Sequence, residues 1–290
     1  MRKIVTLLAL LAAVGCGSPQ KLTESQEYYV GRGVAANAIV STQGQGLQMG
    51  DLEDYVNRVG LSIALASDRP ETFKGYYFAV LKSDLVNAFA APGGFIFVTS
   101  AALKKMDTED ELAGVLAHEV SHVNLRHPED QANRMTQKSG VMDILAKGEH
   151  LETAGSILGG IASLTGHQQA GNAISSAGAN LAKVTKAFGG VMDGFLDEVM
   201  VKGYGRESEL AADAMAVDLM TRADVRYDPA ALKAFIAKLP KADRGAWSDH
   251  PGLEGRLQAI DEAIKKKSVK SATDPERTKR FLAMKAVLGQ

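Results

Sequence analysis

The chain has 290 residues, of which 46% are hydrophobic and 23% are charged, so it can bury the core of one large domain or two small ones, and overall disorder is excluded. Its 33 basic and 34 acidic residues give a formal net charge of −1 and are interspersed, which argues against a nucleic-acid partner. With one cysteine, no disulfide can form within the chain, and the fold must rest on packing, with or without a metal.

Residues 1–16 resemble the signal peptide and lipobox of bacterial lipoproteins. Arg2 and Lys3 precede a mostly apolar run from Ile4 to Val14, and Cys16 follows where such a cysteine is acylated. Residues 17–22 would then be a polar tether. Acyl chains on this cysteine would hold the protein on a membrane, because each buried methylene contributes about 0.8 kcal/mol. The expected location is the periplasmic side of an envelope membrane, and the outer membrane is the expected one. The alternative is an ordinary signal peptide with an incidental cysteine, and hence a soluble exported protein.

Two helices are predicted next, over about residues 23–40 and 51–67. In the second, apolar residues recur at three- and four-residue spacing, which is typical of a helix packed on a core. From Phe73 to Thr99, aromatic and β-branched runs predict three short strands, in YYFAVLKS, VNAFA and GFIFVTS, with a tight turn at Pro92-Gly93-Gly94. The expected fold is α+β, mostly helical, with a small β-sheet.

The next predicted helix contains the pattern H-E-x-x-H. Thr108 is its expected N-cap, Pro128 its expected end, and His118, Glu119 and His122 form the pattern. Histidines four residues apart project from one helix face, where both imidazoles can hold one zinc ion. Glu119, one step round the helix, can reach a water at the metal and act as general base.

Two imidazoles leave a catalytic zinc site incomplete, because such sites usually have three protein ligands and a water. A metzincin is excluded, since Leu125 stands where that class requires glycine and His127 falls one residue too early. A second helix, in GYGRESELAADAMAVDLM, offers Glu209 as third ligand and Asp213 as acceptor for the N–H of a ligating histidine. The competing interpretation is that Glu209 and Asp213 are a pair of acidic residues on the solvated surface of this helix.

With these residues identified, the chain resembles the gluzincin peptidases of the HtpX-like and CAAX prenyl endopeptidase family, most nearly its small periplasmic lipoprotein branch. The resemblance runs from about residue 23 to 264 through NAFAAPGGFIFVTS, LAHEVSHVNLRH, GYGRESELAAD and SDHPGLEGRL. It implies a zincin-type domain in which one Zn²⁺ per chain is bound by His118, His122 and Glu209, with Glu119 as general base and Asp213 as a supporting residue.

The same resemblance implies a role for His250, in the His-Pro element. Its imidazole can approach the metal or donate to the developing oxyanion, so it is expected to be both a catalytic aid and a gate. A solvated loop histidine is the alternative. Tyr204 and Arg206 match positions of the family motif without an assigned role.

The segment from Thr153 to Ala182 has no charged residue but is too rich in glycine and polar residues to span a membrane. We expect a Gly/Ala-rich helical insert at about 139–202, with His150 and His167 on its surface, inside a single metallopeptidase domain over residues 23–290. Further on, Asp228-Pro229 and Asp274-Pro275 each predict an N-cap and a proline that open a helix.

The predicted function is that of a zinc-dependent endopeptidase acting on misfolded or misassembled envelope proteins, in protein quality control. Unfolded substrates are expected to add a strand to the edge of the sheet, at residues Asn87, Ala88, Phe89, Ala90 and Ala91. The alternative is a membrane-anchored chaperone or assembly factor with a mainly structural zinc site. Glu119 argues against that alternative, because a structural site needs no base beside its ligands.

Overall fold

The computed structural model describes residues 21–42, 50–139, 189–200, 203–239, 253–267 and 274–289. Several predicted features lie outside these ranges: the lipoprotein signal with Cys16, most of the insert with His150 and His167, and the loop that carries His250.

The described elements are mostly helices, as predicted. In chain order they are α1 (Glu24–Thr42), α2 (Gly50–Leu65), β1 (Tyr77–Leu81), β2 (Ala88–Ala91), a 3-10 turn (Pro92–Gly94), β3 (Phe95–Thr99), α3 (Ser100–Lys105), α4 (Glu109–Asn124), α5 (His127–Ser139), α6 (residues 189–200), α7 (Arg206–Thr221), α8 (Ala230–Ala237), α9 (Leu253–Lys267), α10 (Pro275–Lys285) and a last 3-10 turn (Ala286–Gly289). The α+β prediction is confirmed. Of the helices described, none is both long and apolar enough to cross a membrane.

The three predicted strands form one sheet, in the order β1-β3-β2. β1 runs parallel to β3, whereas β2 is antiparallel to β3 and reaches it through the 3-10 turn that follows Ala91. Gly93 and Gly94 have φ values of 77° and 91°, a region that only glycine adopts readily. A Cβ on Gly93 would also lie 2.7 Å from the Tyr28 Cα, so the turn packs directly on α1.

Helices cover both faces of the sheet. Because side chains alternate along a strand, Ala88 and Ala90 of β2 join the apolar cluster around α2 and α4. Phe89 and Ala91 join the second cluster, around α1 and α6. The sheet is thus the middle layer of the described fold, with β2 at one edge.

The end of α4 differs from the prediction. The helix was expected to run to Pro128, but it ends at Asn124, and Pro128 lies in the first turn of α5. Arg126 adopts a left-handed φ of 63° and turns the chain between the two helices. Proline is tolerated in a first helical turn, because its missing N–H would have no intrahelical acceptor there. The turn places His127, the first residue of α5, beside His122 in the last turn of α4.

The predicted caps Thr108 and Asp274 are confirmed, and Asp228 bonds the first residue of α8 from one position before the N-cap Pro229. Thr108 accepts a hydrogen bond from the Glu111 N–H at 3.1 Å. Asp228 accepts one from the Ala230 N–H, and Asp274 accepts one from Glu276, each at 2.9 Å. These short polar side chains satisfy N–H groups that have no partner within the helix. They fix the starts of α4, α8 and α10.

Candidate metal centre and active site

α4 and α7 bring together the three predicted metal ligands. His118 and His122 lie one turn apart on α4, and Glu209 projects from the first turn of α7. The Nε2 atoms of the two histidines are 3.0 Å apart, and the Glu209 carboxylate lies 3.2 Å from the first and 3.5 Å from the second. All three side chains are buried. The two helices pack against each other, and the small residues Ala212 and Ala216 of α7 are fully buried.

The donor set fits zinc. One ligand atom from each of His118, His122 and Glu209 lies within 4.8 Å of the others. Two imidazole nitrogens and a carboxylate oxygen are the donors of a common catalytic zinc site, which keeps a fourth position for water. The buried group therefore indicates a metal centre.

Asp213, the predicted supporting residue, contacts His118. Its Oδ1 lies 2.9 Å from the Nδ1 of His118, on the opposite side of the ring from Glu209. Burial opposes a charged imidazole, but the carboxylates of Asp213 and Glu209 outweigh it and raise the pKa of His118 to about 9. A carboxylate in this position holds the ring and determines which nitrogen carries the proton.

Arg256, on α9, was not identified as a site residue from the sequence. It donates to both oxygens of Asp213, from Nε at 2.7 Å and from Nη2 at 2.6 Å, and is 1% exposed. Burial works against the charged form of Asp213, yet the Arg256 guanidinium holds the pKa of that carboxyl below its ordinary value. The sequence carried one signal, because Arg256 interrupts the apolar stripe of Leu253, Leu257 and Ile260 on α9.

His127 is a second residue whose place the sequence did not reveal. In the sequence it falls one residue too early for the third histidine of a metzincin, and in the structure its Nδ1 lies 2.8 Å from the Nδ1 of His122. It is half-buried at the start of α5. Burial and the neighbouring His122 lower the pKa of His127 to about 4, so it is neutral at physiological pH.

Glu119 faces the edge strand β2. The side chain is 2% exposed and accepts a hydrogen bond from the Ala90 N–H. Burial raises the pKa of Glu119 to about 8; the charge of His118 opposes the rise and that of Glu209 adds to it. A carboxyl with a pKa near physiological pH is suited to taking and returning a proton.

Tyr204 joins the site, whereas Arg206 does not. The Tyr204 hydroxyl donates to the Ala90 carbonyl at 2.5 Å, and the Tyr204 N–H donates to Glu209 at 3.3 Å. Its ring centroid lies 4.5 Å from that of His122. Arg206 is exposed at the beginning of α7.

The predicted substrate strand is at the sheet edge but is covered in this structure. β2 is buried along its length. Ala90 has its N–H bonded to Glu119 and its carbonyl bonded to Tyr204. Asn87, just before β2, donates to the backbone carbonyl of Met200 at 3.4 Å.

Comparison with known proteins gives the family. The sequence pattern of peptidase family M48 matches residues 51–264. The beta-barrel assembly-enhancing protease of Escherichia coli (strain K12) is 27% identical over 269 residues, which cover 86% of this chain and 47% of that protein. The mitochondrial metalloendopeptidase OMA1 of Schizosaccharomyces pombe is 25% identical over 225 residues, 76% of this chain and 55% of its own. The metalloprotease LoiP of Escherichia coli (strain K12) is 27% identical over 190 residues, 64% of this chain and 61% of its own.

The chain thus spans about half the length of the beta-barrel assembly-enhancing proteases that it matches. The family match covers more than half of the 290 residues and includes the helices that carry His118, His122 and Glu209. The chain therefore belongs to peptidase family M48.

Proposed function

We propose that this chain is a zinc-dependent endopeptidase with one Zn²⁺ held by His118, His122 and Glu209. The observation that carries the proposal is the buried convergence of two imidazoles and a carboxylate, with their donor atoms within 4.8 Å of one another. A further buried carboxyl, Glu119, stands beside these donors. A structural site has no use for that extra acid, so its presence favours catalysis over a purely structural zinc.

Zinc bound at this cluster would polarise the scissile carbonyl and lower the pKa of an attacking water to roughly 7. Glu119 would take the proton of that water and return it to the leaving amine. Near a dication the pKa of Glu119 falls from its value of about 8, which favours the ionised form that accepts a proton. Asp213, held by Arg256, would keep the proton of His118 on Nδ1 and so leave Nε2 for the metal.

The substrate would be an extended polypeptide added along β2. The support is the position of this strand at the sheet edge, with Ala90 directly beside Glu119. Strand addition uses backbone hydrogen bonds, which suits broad specificity for unfolded chains. Because the Ala90 carbonyl already accepts from Tyr204, we propose that Tyr204 withdraws when a substrate strand binds.

We propose misfolded or misassembled envelope proteins as the natural substrates. The support is the relative named beta-barrel assembly-enhancing protease, together with the signal-like residues 1–16. Lipidation at Cys16 would hold the enzyme on the periplasmic side of the envelope, on the outer membrane. A Cys16→Ala variant is expected to lose labelling by palmitate and to leave the membrane fraction. An unlabelled wild-type protein would overturn the anchor.

His250 completes the proposed set as a catalytic aid and gate, on the basis of the family resemblance. A His250→Ala variant is the test, on an unfolded substrate and a structured one. Loss of an oxyanion donor would lower the rate by roughly a hundredfold, whereas loss of a block would raise the background rate. Wild-type rates on both substrates would remove His250 from the site.

The experiment that tests the main proposal compares the wild type with Glu119→Gln. Zinc content and cleavage of casein and of an unfolded outer-membrane protein are measured for both. We expect one zinc per chain in each, and a loss of cleavage of roughly 10²–10⁴-fold in the variant, because an amide cannot take the proton. Glu207→Gln, an exposed change on α7, is the matched control. Undiminished cleavage by Glu119→Gln would show that Glu119 is not the base, zinc without cleavage in the wild type would favour the chaperone alternative, and a wild type without zinc would overturn the metal site.

A further inference from the structure

The two ligand histidines have different neighbours behind them. Behind His118 stands a carboxylate, Asp213, at 2.9 Å from Nδ1. Behind His122 stands another imidazole, since the Nδ1 atoms of His122 and His127 are 2.8 Å apart. This distance is that of a hydrogen bond, so one of the two nitrogens carries a proton and the other accepts it.

The orientation of His122 determines which nitrogen is the donor. Its Nε2 faces His118 at 3.0 Å and Glu209 at 3.5 Å, within the metal cluster. An imidazole that presents a lone pair on Nε2 carries its proton on Nδ1. His122 is then the donor, and the Nδ1 of His127 is the acceptor.

We propose that His127 is a positioning residue that accepts the Nδ1–H of His122 and fixes the orientation of this ligand. His127 would do for His122 what Asp213 does for His118. The inference rests on the proposed function, because it requires a metal at the cluster.

The backbone between α4 and α5 holds His127 in place. Arg126 adopts a left-handed φ of 63°, and its carbonyl accepts from the Asp130 N–H at 2.9 Å. The Arg126 guanidinium donates to the buried carboxylate of Glu27 on α1. This contact ties the turn to α1, so the position of His127 does not depend on its own side chain alone.

Tyr204 restrains both imidazoles. Its ring centroid is 4.5 Å from that of His122 and 6.1 Å from that of His127. The two imidazole centroids are themselves 5.0 Å apart. Rotation of either imidazole would break the hydrogen bond between them and disturb this packing.

A neutral acceptor also differs from a carboxylate in its effect on charge. The charge of Asp213 is balanced by Arg256, which contacts it at 2.6 Å. As the acceptor of the 2.8 Å hydrogen bond, His127 has a free lone pair on Nδ1 and a proton on Nε2 alone, so it likewise adds no net charge beside the metal ligands. His122 is therefore oriented without a further negative charge that would weaken the pull of the metal on a substrate carbonyl.

The test compares zinc affinity in the full chain for the wild type, His127→Ala and His127→Asn. Asparagine is the matched control, because its Oδ1 stands the same number of bonds from Cα as the Nδ1 of histidine and can accept the same proton. We expect the alanine variant to bind zinc 10- to 100-fold more weakly, in a competition with a chromophoric chelator. The asparagine variant should recover most of the affinity.

Two further measurements separate positioning from a structural role. Long-range ¹H–¹⁵N spectra of the zinc-loaded wild type should show the proton of His122 on Nδ1 and that of His127 on Nε2. Urea unfolding in chelator reports the stability of each fold. A protonated His127 Nδ1, or alanine and wild-type proteins with equal zinc affinity, would overturn the inference even where stability falls. A third imidazole ligand in X-ray absorption that His127→Ala removes and His250→Ala retains would show instead that His127 binds the metal. A wild type that binds no zinc would overturn the proposed function as well, which distinguishes the two failures.

Discussion

The pair formed by Arg256 and Asp213 offers a quantitative test of how the site is built. Arg256 is 1% exposed, and two of its nitrogens donate to Asp213 at 2.6 and 2.7 Å. Replacing Arg256 by methionine keeps an unbranched stem of four heavy atoms but removes the guanidinium and its charge. Asp213 would then be buried with His118 as its remaining charged neighbour, at 2.9 Å.

The expected cost follows from this geometry. Breaking a buried ion pair by removing one partner costs about 3–5 kcal/mol, because an uncompensated charge remains. Arg256→Met should fall near the lower end, since His118 has a pKa of about 9 and can carry the compensating proton. Asp213→Asn should cost a similar amount, because the guanidinium that loses Asp213 keeps a compensating negative charge, Glu209, at 3.7 Å. The double variant has neither charge, so its cost should fall below the sum of the singles by about 2–3 kcal/mol.

The assay is urea unfolding in the presence of chelator for the four proteins of this cycle. The pH dependence has a defined sign. Because the pKa of Asp213 is lowered from 3.8, its contribution to stability is present above that value and is lost as pH falls through the lower folded-state pKa. Coupling below about 0.5 kcal/mol at pH 7, the range of independent sites, would refute the reasoning.

Two other substitutions test the edge strand and its turn. Tyr204→Phe removes the hydrogen bond to the Ala90 carbonyl but keeps the ring. Because a substrate strand must displace that hydrogen bond, kcat/KM on unfolded casein should rise by about 2- to 10-fold, the equivalent of one net hydrogen bond. A fall in kcat/KM would show that the hydroxyl serves the reaction. Gly31→Ala would place a Cβ 1.7 Å from the Pro92 carbonyl oxygen and should lower the free energy of unfolding by about 3 kcal/mol or more. Gly50→Ala, whose Cβ meets no described atom within 4 Å, is its control, and equal stability of the two variants would contradict the packing of α1 on the turn.

The sequence could predict that His118 and His122 share one helix face, because helix geometry alone determines their direction. Residues four apart project from the same face, so His118 and His122 converge whatever else the fold does. Glu209 and Asp213 repeat the same spacing on a second helix. The strands and the glycine turn were also predictable, since their signals are local.

The supporting contacts were not predictable in the same way. Arg256 reaches Asp213 from 43 residues further along the chain, and only tertiary packing brings α9 against α7. His127 depends on the left-handed backbone of Arg126, a conformation that the sequence pattern does not indicate for arginine. The expected end of α4 at Pro128 was wrong because the left-handed turn at Arg126 ends the helix before the proline is reached.

Charge balance links the metal centre to the proposed base. Glu119, Glu209 and Asp213 are buried carboxyl groups at the site, and Arg256 is the guanidinium buried among them. When all three carboxyls are ionised and the histidines are neutral ligands, two negative charges remain, and an uncompensated buried charge is costly. With a dication at the cluster, the net charge of these groups is zero if Glu119 is ionised and +1 if it is protonated. The metal that the ligands are arranged to hold thus favours the protonation state in which Glu119 can accept a proton from water.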